Sequence, residues 1–212
     1  MTGPAWALLV LAGVLAIGDW LAVARGSKPV EYVCKPGTLA ALVGVALALD
    51  PADGDVRAWF VLALALSLAG DVFLMLPHDL FVAGLASFLL AHLAYVVGLD
   101  LHGGSAGELA LAAVPVAVVG ALLAARILRA VVAGGRRELI GPLVAYLLVI
   151  SAMVTSALAS GSIWAAAGAV LFFGSDALIA ETRFVRPHRG APVAIMVTYH
   201  LGQAGLALSL LR

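Results

Sequence analysis

The 212-residue chain is 64% hydrophobic and 11% charged, with twelve basic and twelve acidic residues and zero formal net charge. An ordinary soluble domain carries about 25% charged residues, so the composition excludes a soluble globular protein. The balanced charge gives no reason to expect a nucleic-acid partner.

Apolar runs of about 20 residues are long enough to cross a hydrocarbon core about 30 Å thick. Within that core each backbone amide must be satisfied inside its own segment, so the runs are read as helices. The alternating polarity of a β-barrel strand is absent. Eight transmembrane helices are predicted, over 5–25, 36–50, 57–76, 80–99, 107–128, 138–160, 162–181 and 191–211. They form an all-α polytopic bundle that occupies 1–212 as a single integral membrane domain.

The first run contains Asp19 and is followed by Arg25, and no basic segment precedes it. It is therefore read as a retained helix, although Ala22-Val23-Ala24 resembles a signal cleavage site. The second run is short, and extension back through Pro36 towards Val30 would lengthen it; Lys35 and the lone cysteine, Cys34, stand at its start. Run 3 carries Asp71. Run 4 places Phe81, Gly84 or Leu85, Phe88, His92 and Tyr95 at three- and four-residue spacing, hence on one helix face. Run 7 carries Ser175 and Asp176, and run 8 carries Tyr199, His200 and Gln203. Gly54, Gly103-Gly104, Gly134-Gly135 and Gly161 mark four of the turns.

Basic residues set the expected direction. One side holds Arg25, Lys28, Lys35, Arg126, Arg129, Arg136, Arg137, Arg183, Arg186 and Arg189; the other holds Arg57 and Arg212. Ten against two places the first set in the cytoplasm. Asp50, Asp53, Asp55, Asp100 and Glu108 fall on the opposite face. Both ends of the sequence are then non-cytoplasmic, and an alanine-, glycine- and arginine-rich composition points to a bacterial inner (plasma) membrane.

Ionisable groups at membrane depth mark function by default, and five qualify: Asp19, Asp71, His92, Asp176 and His200. Asp71 lies five residues before Leu76, about a turn and a half of helix from the cytoplasmic end. Asp176 sits at similar depth in a helix of the same direction. Leu68-Ala69-Gly70-Asp71 and Phe173-Gly174-Ser175-Asp176 also suggest an internal likeness. The runs that follow them carry Ala91-His92-Leu93 and Tyr199-His200-Leu201. A parallel four-plus-four repeat, as in transporters, would account for both pairs.

At these residues the chain resembles the YhhN family of membrane proteins. The matching motifs are Lys35-Pro36 with Thr38; Gly70-Asp71 with Leu74; Phe81, Gly84 and Phe88 with Ala91-His92 and Tyr95; Leu171-Phe172 with Ser175-Asp176 and Leu178; and Tyr199 with Gln203. The resemblance implies a lysoplasmalogenase, which hydrolyses the vinyl ether of a lysophospholipid to a fatty aldehyde and a glycerophospho-alcohol. Such an ether is cleaved by protonation on carbon and capture of the oxocarbenium ion by water. That chemistry asks for one protonated carboxyl and one anionic group, as in glycoside hydrolysis. Asp71 and Asp176 are expected to be this catalytic pair, sharing one proton. Lys35, His92, Tyr95, Ser175, Tyr199, Gln203 and Asp19 are the candidates for substrate binding or orientation. Lys35, with the arginines of the cytoplasmic loops, is the candidate for the substrate phosphate, and the acyl-type chain would enter near Phe81 and Phe88. No metal or cofactor is expected, since H-E-x-x-H spacing and cysteine clusters are missing. The rival reading is a proton-coupled transporter of a small or lipid-like substrate.

Overall fold

A computed structural model describes residues 1–49, 53–101 and 103–211. The expectations resting on Asp50 and Arg212 fall outside these residues. The helices are α1 (Gly3–Arg25), α2 (Lys28–Ala48), α3 (Gly54–Met75), α4 (Phe81–Leu101), α5 (Ala106–Ala133), α6 (Ile140–Ala159), α7 (Ile163–Ala180) and α8 (Ala191–Leu208). A 3-10 turn, Arg137–Leu139, leads into α6, and a π-helical turn, Glu181–Val185, follows α7. Among the described residues there is no strand, and eight helices are long and apolar enough to cross a membrane.

Local chemistry explains where the helices begin. The Thr2 side chain accepts from the Ala5 amide, and Ser162 accepts from Ala165, so each satisfies an otherwise free first-turn donor. Ser105 and Glu108 cap α5 reciprocally, each side chain bonding the other's backbone amide. Gly26, at φ 69°, closes α1 in the left-handed conformation that favours glycine.

The second span takes the longer extent expected of it, back through Pro36 and slightly past Val30. It begins at Lys28 and runs through Pro36. In a helix interior proline removes one backbone donor, and here the helix continues past it. Lys35 therefore stands seven residues inside α2 rather than at its mouth. Gly54 opens α3 instead of forming a turn, and α5 continues to Ala133, well past the expected 128.

Two seams hold the site helices. On α7 and α8 the backbones touch: a Cβ on Gly168 would lie 2.6 Å from the Leu206 nitrogen, and one on Gly202 2.9 Å from the Phe172 nitrogen. Small residues allow this approach, and without a hydrophobic drive between helices in lipid such packing supplies much of the association. On α3 and α4, Gly70 receives the Phe88 ring, 2.7 Å from where its Cβ would be. Helices α4 and α8 are the most enclosed, each half buried, whereas α5 turns Leu111, Val114, Val118 and Leu122 outward. Helix α4 packs on α3 and α6; α8 packs on α7, α2 and α1.

Candidate active site

Asp71 and Asp176 each lie four residues before the end of their α-helix, about 6 Å in at 1.5 Å per residue. The membrane-crossing run that holds Asp176 continues beyond α7 to Val185, whereas the run that holds Asp71 ends at Met75. Their surroundings differ. Asp71 is 1% exposed; its Oδ1 lies 3.2 Å from Lys35 Nζ, and its Oδ2 accepts a 2.7 Å hydrogen bond from the Tyr199 hydroxyl. A buried carboxylate needs such partners, because an unpaired one is costly. Lys35 is itself buried against it, so its ammonium is engaged inside the bundle.

Asp176 is held by a different tyrosine. Its Oδ2 accepts from the Tyr146 hydroxyl at 2.5 Å and lies 3.8 Å from His92 Nε2, beyond hydrogen-bond distance. The two carboxylates have no hydrogen bond or ion pair in common. They are linked instead by Phe172, fully buried, whose ring packs 4.7 Å from His92 and 5.3 Å from Tyr199 between centroids.

Two cavities meet at Asp176. The larger, about 430 Å³, lies between α5, α6 and α7 and is lined by Val116, Gly120, Leu147, Ser151, Tyr146 and Asp176 among others. The smaller, about 60 Å³, is lined by Leu74, Phe81, Phe88, Leu143, Tyr146, Asp176 and Phe184. Asp71 lines neither. The Phe81/Phe88 face thus has room beside it, but the roomier space lies on the far side of Asp176. A flat α5 surface of Ala113, Ala117, Gly120, Ala121 and Ala124 leaves that space open.

The remaining candidates are distributed as follows. The Tyr95 hydroxyl donates to Gln203 Oε1 at 2.6 Å, joining α4 to α8 in the core. Ser175 donates to the Ile195 carbonyl at 3.1 Å and ties α7 to α8. Asp19 is fully buried with neither oxygen hydrogen-bonded. Its neighbour Trp20 donates from Nε1 to His200 Nδ1 at 3.1 Å, so the α1–α8 pair forms its own polar cluster.

Sequence reasoning missed Tyr146. The signal was available: a lone tyrosine in Leu143-Val144-Ala145-Tyr146-Leu147-Leu148 puts a hydroxyl at membrane depth, where it needs a partner. The arginines of the cytoplasmic loops are expected at the headgroup, but the carboxylates that pair with them beyond the smaller cavity are not. There Arg126 makes a bidentate pair with Glu181, at 2.7 and 2.6 Å, and Arg183 pairs with Asp79 at 2.9 Å. Among the described residues no three of His, Cys, Asp and Glu gather as a metal-binding group.

The YhhN family profile matches residues 30–210. The chain is 36% identical over 179 residues to a protein named lysoplasmalogenase from Mycobacterium tuberculosis, covering 76% of this chain and 63% of that one. It is 35% identical over 150 residues to the human protein named lysoplasmalogenase TMEM86B, covering 71% of this chain and 62% of that one. The alignments thus span somewhat under two thirds of these relatives' own length. No solved structure matches the chain. With a profile match over most of its length and relatives above 30% identity, this chain belongs to the YhhN family.

Proposed function

We propose that this protein is a membrane-embedded hydrolase that cleaves the vinyl ether of lysoplasmalogens, with Asp176 as the acid and Asp71 as the fixed negative charge. The observation that carries the assignment is the difference between the two carboxylates: Asp176 lines both cavities, whereas Asp71 lines neither and is engaged by an ammonium and a hydroxyl.

The chemistry follows from that division. The Asp176 carboxyl gives its proton to the vinyl carbon remote from the ether oxygen, leaving an oxocarbenium ion at the carbon bound to oxygen. Asp71 stabilises the developing positive charge through the low-dielectric core. Water then adds to the cationic carbon, and the Asp176 carboxylate takes up the proton released, giving a hemiacetal. Transfer of the hemiacetal hydroxyl proton to the ether oxygen breaks the C–O bond and yields fatty aldehyde and glycerophospho-alcohol. One water is consumed and Asp176 is regenerated. Tyr146 fixes the rotamer of Asp176, and the 3.8 Å separation from His92 suits a bridging water that becomes the nucleophile. Tyr95, Gln203, Tyr199 and Ser175 position the helices around the pair. Lys35 faces the buried Asp71 carboxylate rather than solvent and, with Tyr199, holds it in place. The single hydrocarbon chain occupies the cavity between α5, α6 and α7.

The whole chain acts as one membrane domain in a bacterial inner membrane, with its basic loops cytoplasmic and both ends of the sequence on the other side. A four-plus-four repeat is supported by helix neighbours that correspond in pairs: α1/α2 with α5/α6, α3/α4 with α7/α8, α2/α3 with α6/α7, and α2/α8 with α6/α4.

The test is to treat lysoplasmenylethanolamine with purified protein in deuterium oxide. Proton transfer to carbon requires aldehyde with one deuterium on the carbon beside the carbonyl. Aldehyde without that deuterium would rule out protonation on carbon. No aldehyde, together with proton-linked uptake in vesicles, would favour the transporter.

A further inference from the structure

The outer end of the smaller cavity is closed by two aromatic rings, Phe81 and Phe184, packed edge to face with centroids 5.9 Å apart. Each carries a guanidinium on its outer face: Arg183 lies 3.9 Å from the Phe81 centroid, and Arg136 lies 4.8 Å from that of Phe184. Two cations thus stand over the mouth of a pocket that ends on Asp176. Their existing partners are unequal. Glu181, 15% exposed at its side chain, takes Arg126 in a bidentate pair and is further approached by Arg186 and His188. Arg183 is paired only through Nη2, to an Asp79 whose side chain is 73% exposed. Exposed pairs of that kind contribute little. The Phe81 ring holds the Arg183 guanidinium in place whether or not Asp79 is bound. Arg136 has no carboxylate partner among the described residues.

We infer that Arg183 and Arg136 form the headgroup site of the enzyme, where the substrate phosphate displaces Asp79 from Arg183. The inference rests on the proposed lysophospholipid substrate and deepens it. The substrate phosphodiester and a carboxylate each carry one negative charge and present similar oxygen pairs to a guanidinium, so the phosphate can take the place of the exposed Asp79. Asp79 is then a built-in competitor that occupies the site until substrate arrives. The spacing also fits. Asp176 and Arg183 are seven residues apart, about 10 Å along a helix. Seven bonds separate the phosphorus of a lysoplasmalogen from the vinyl carbon that must be protonated, a comparable length when extended.

The experiment compares two substrates in phospholipid-free detergent, lysoplasmenylethanolamine and the phosphate-free 1-alkenylglycerol, with Lys28→Ala, at an exposed lysine, as a surface control. Arg183→Ala is expected to raise KM for the phosphate-bearing substrate about tenfold, the value of a charged hydrogen bond, and to leave the glycerol substrate unchanged. Asp79→Ala is expected to lower KM for the phosphate-bearing substrate alone. Equal effects on both substrates, or no fall in KM with Asp79→Ala, would overturn the inference. So would an Arg183→Ala defect that appears only in nanodiscs of anionic phospholipid, which would assign the site to bilayer lipid. If wild type cleaves neither substrate, the hydrolase reading fails. Thermal stabilisation by uncleavable 1-alkyl-lysophosphoethanolamine then decides the headgroup site by itself. Stabilisation lost in Arg183→Ala supports it, and stabilisation retained refutes it.

Discussion

Lys35 and Asp71 form a buried pair, and such pairs are asymmetric in what their loss costs. Removing one partner strands a charge, at about 3–5 kcal/mol, whereas replacing both is often neutral. Lys35→Met should therefore lower the melting temperature in detergent more than the double variant Lys35→Met/Asp71→Asn does. A double variant less stable than the single would mean that Lys35 and Asp71 do not stabilise the fold as a pair. At this scale the sequence was partly legible. An aspartate in an apolar run declares itself, so Asp19, Asp71 and Asp176 stand out. Their partners do not. Lys35 sits beside Pro36, where a helix start is the ordinary reading, and only the continuation of α2 back to Lys28 carries the ammonium inside the bundle. Tyr146 comes from a run without any ionisable neighbour, and its pairing with Asp176 across 30 residues depends on how α6 docks against α7.

At the scale of elements, the α7–α8 seam fixes where Asp176 stands. Gly168 has no room for a Cβ, since the nearest obstacles are the backbone of Leu206 and Gly202, which cannot swing away as a side-chain tip would. Gly13 on α1 faces open space. Gly168→Ala is expected to destabilise by about 1–3 kcal/mol, the usual cost of overpacking, and to reduce aldehyde release by moving Asp176. Gly13→Ala should leave both unchanged. Melting curves and activity of the two variants check this, and a silent Gly168→Ala would mean that the helices are not in backbone contact. Helix existence was read correctly from hydrophobic run length for every span, because burying a backbone in lipid leaves no other solution. Boundaries are less legible where glycine suggests a turn: Gly54 lies within the first turn of α3, while α2 runs through Pro36 as its extended reading allows. Which helices enclose a cavity was not legible, because it depends on how α5 stands against α6 and α7.

For the whole molecule, charge decides direction. The proposed cytoplasmic end gathers the last turn of α3, the first of α4, the basic end of α5 and the π-helical turn after α7, with the Arg126–Glu181 and Arg183–Asp79 pairs across it. Alkaline phosphatase fused after Gly104 is therefore expected to be active in a bacterial host, and the same enzyme fused after Gly135 inactive. The reverse pattern would invert the topology and place the active site in the opposite leaflet. The fold class and membrane character were accessible from composition, since 64% hydrophobic residues admit few alternatives. The division of labour between two similar aspartates was not, because both follow Gly or Ser in an apolar helix and differ in their neighbours.

The most direct test of the central claim is aldehyde release from lysoplasmenylethanolamine by wild type and Asp176→Asn, each folded in detergent and each titrated with the uncleavable 1-alkyl analogue. Aldehyde from the wild type, none from Asp176→Asn, and unchanged binding of the analogue is the expected result. Aldehyde release by Asp176→Asn at the wild-type rate would contradict the assignment of Asp176 as the acid.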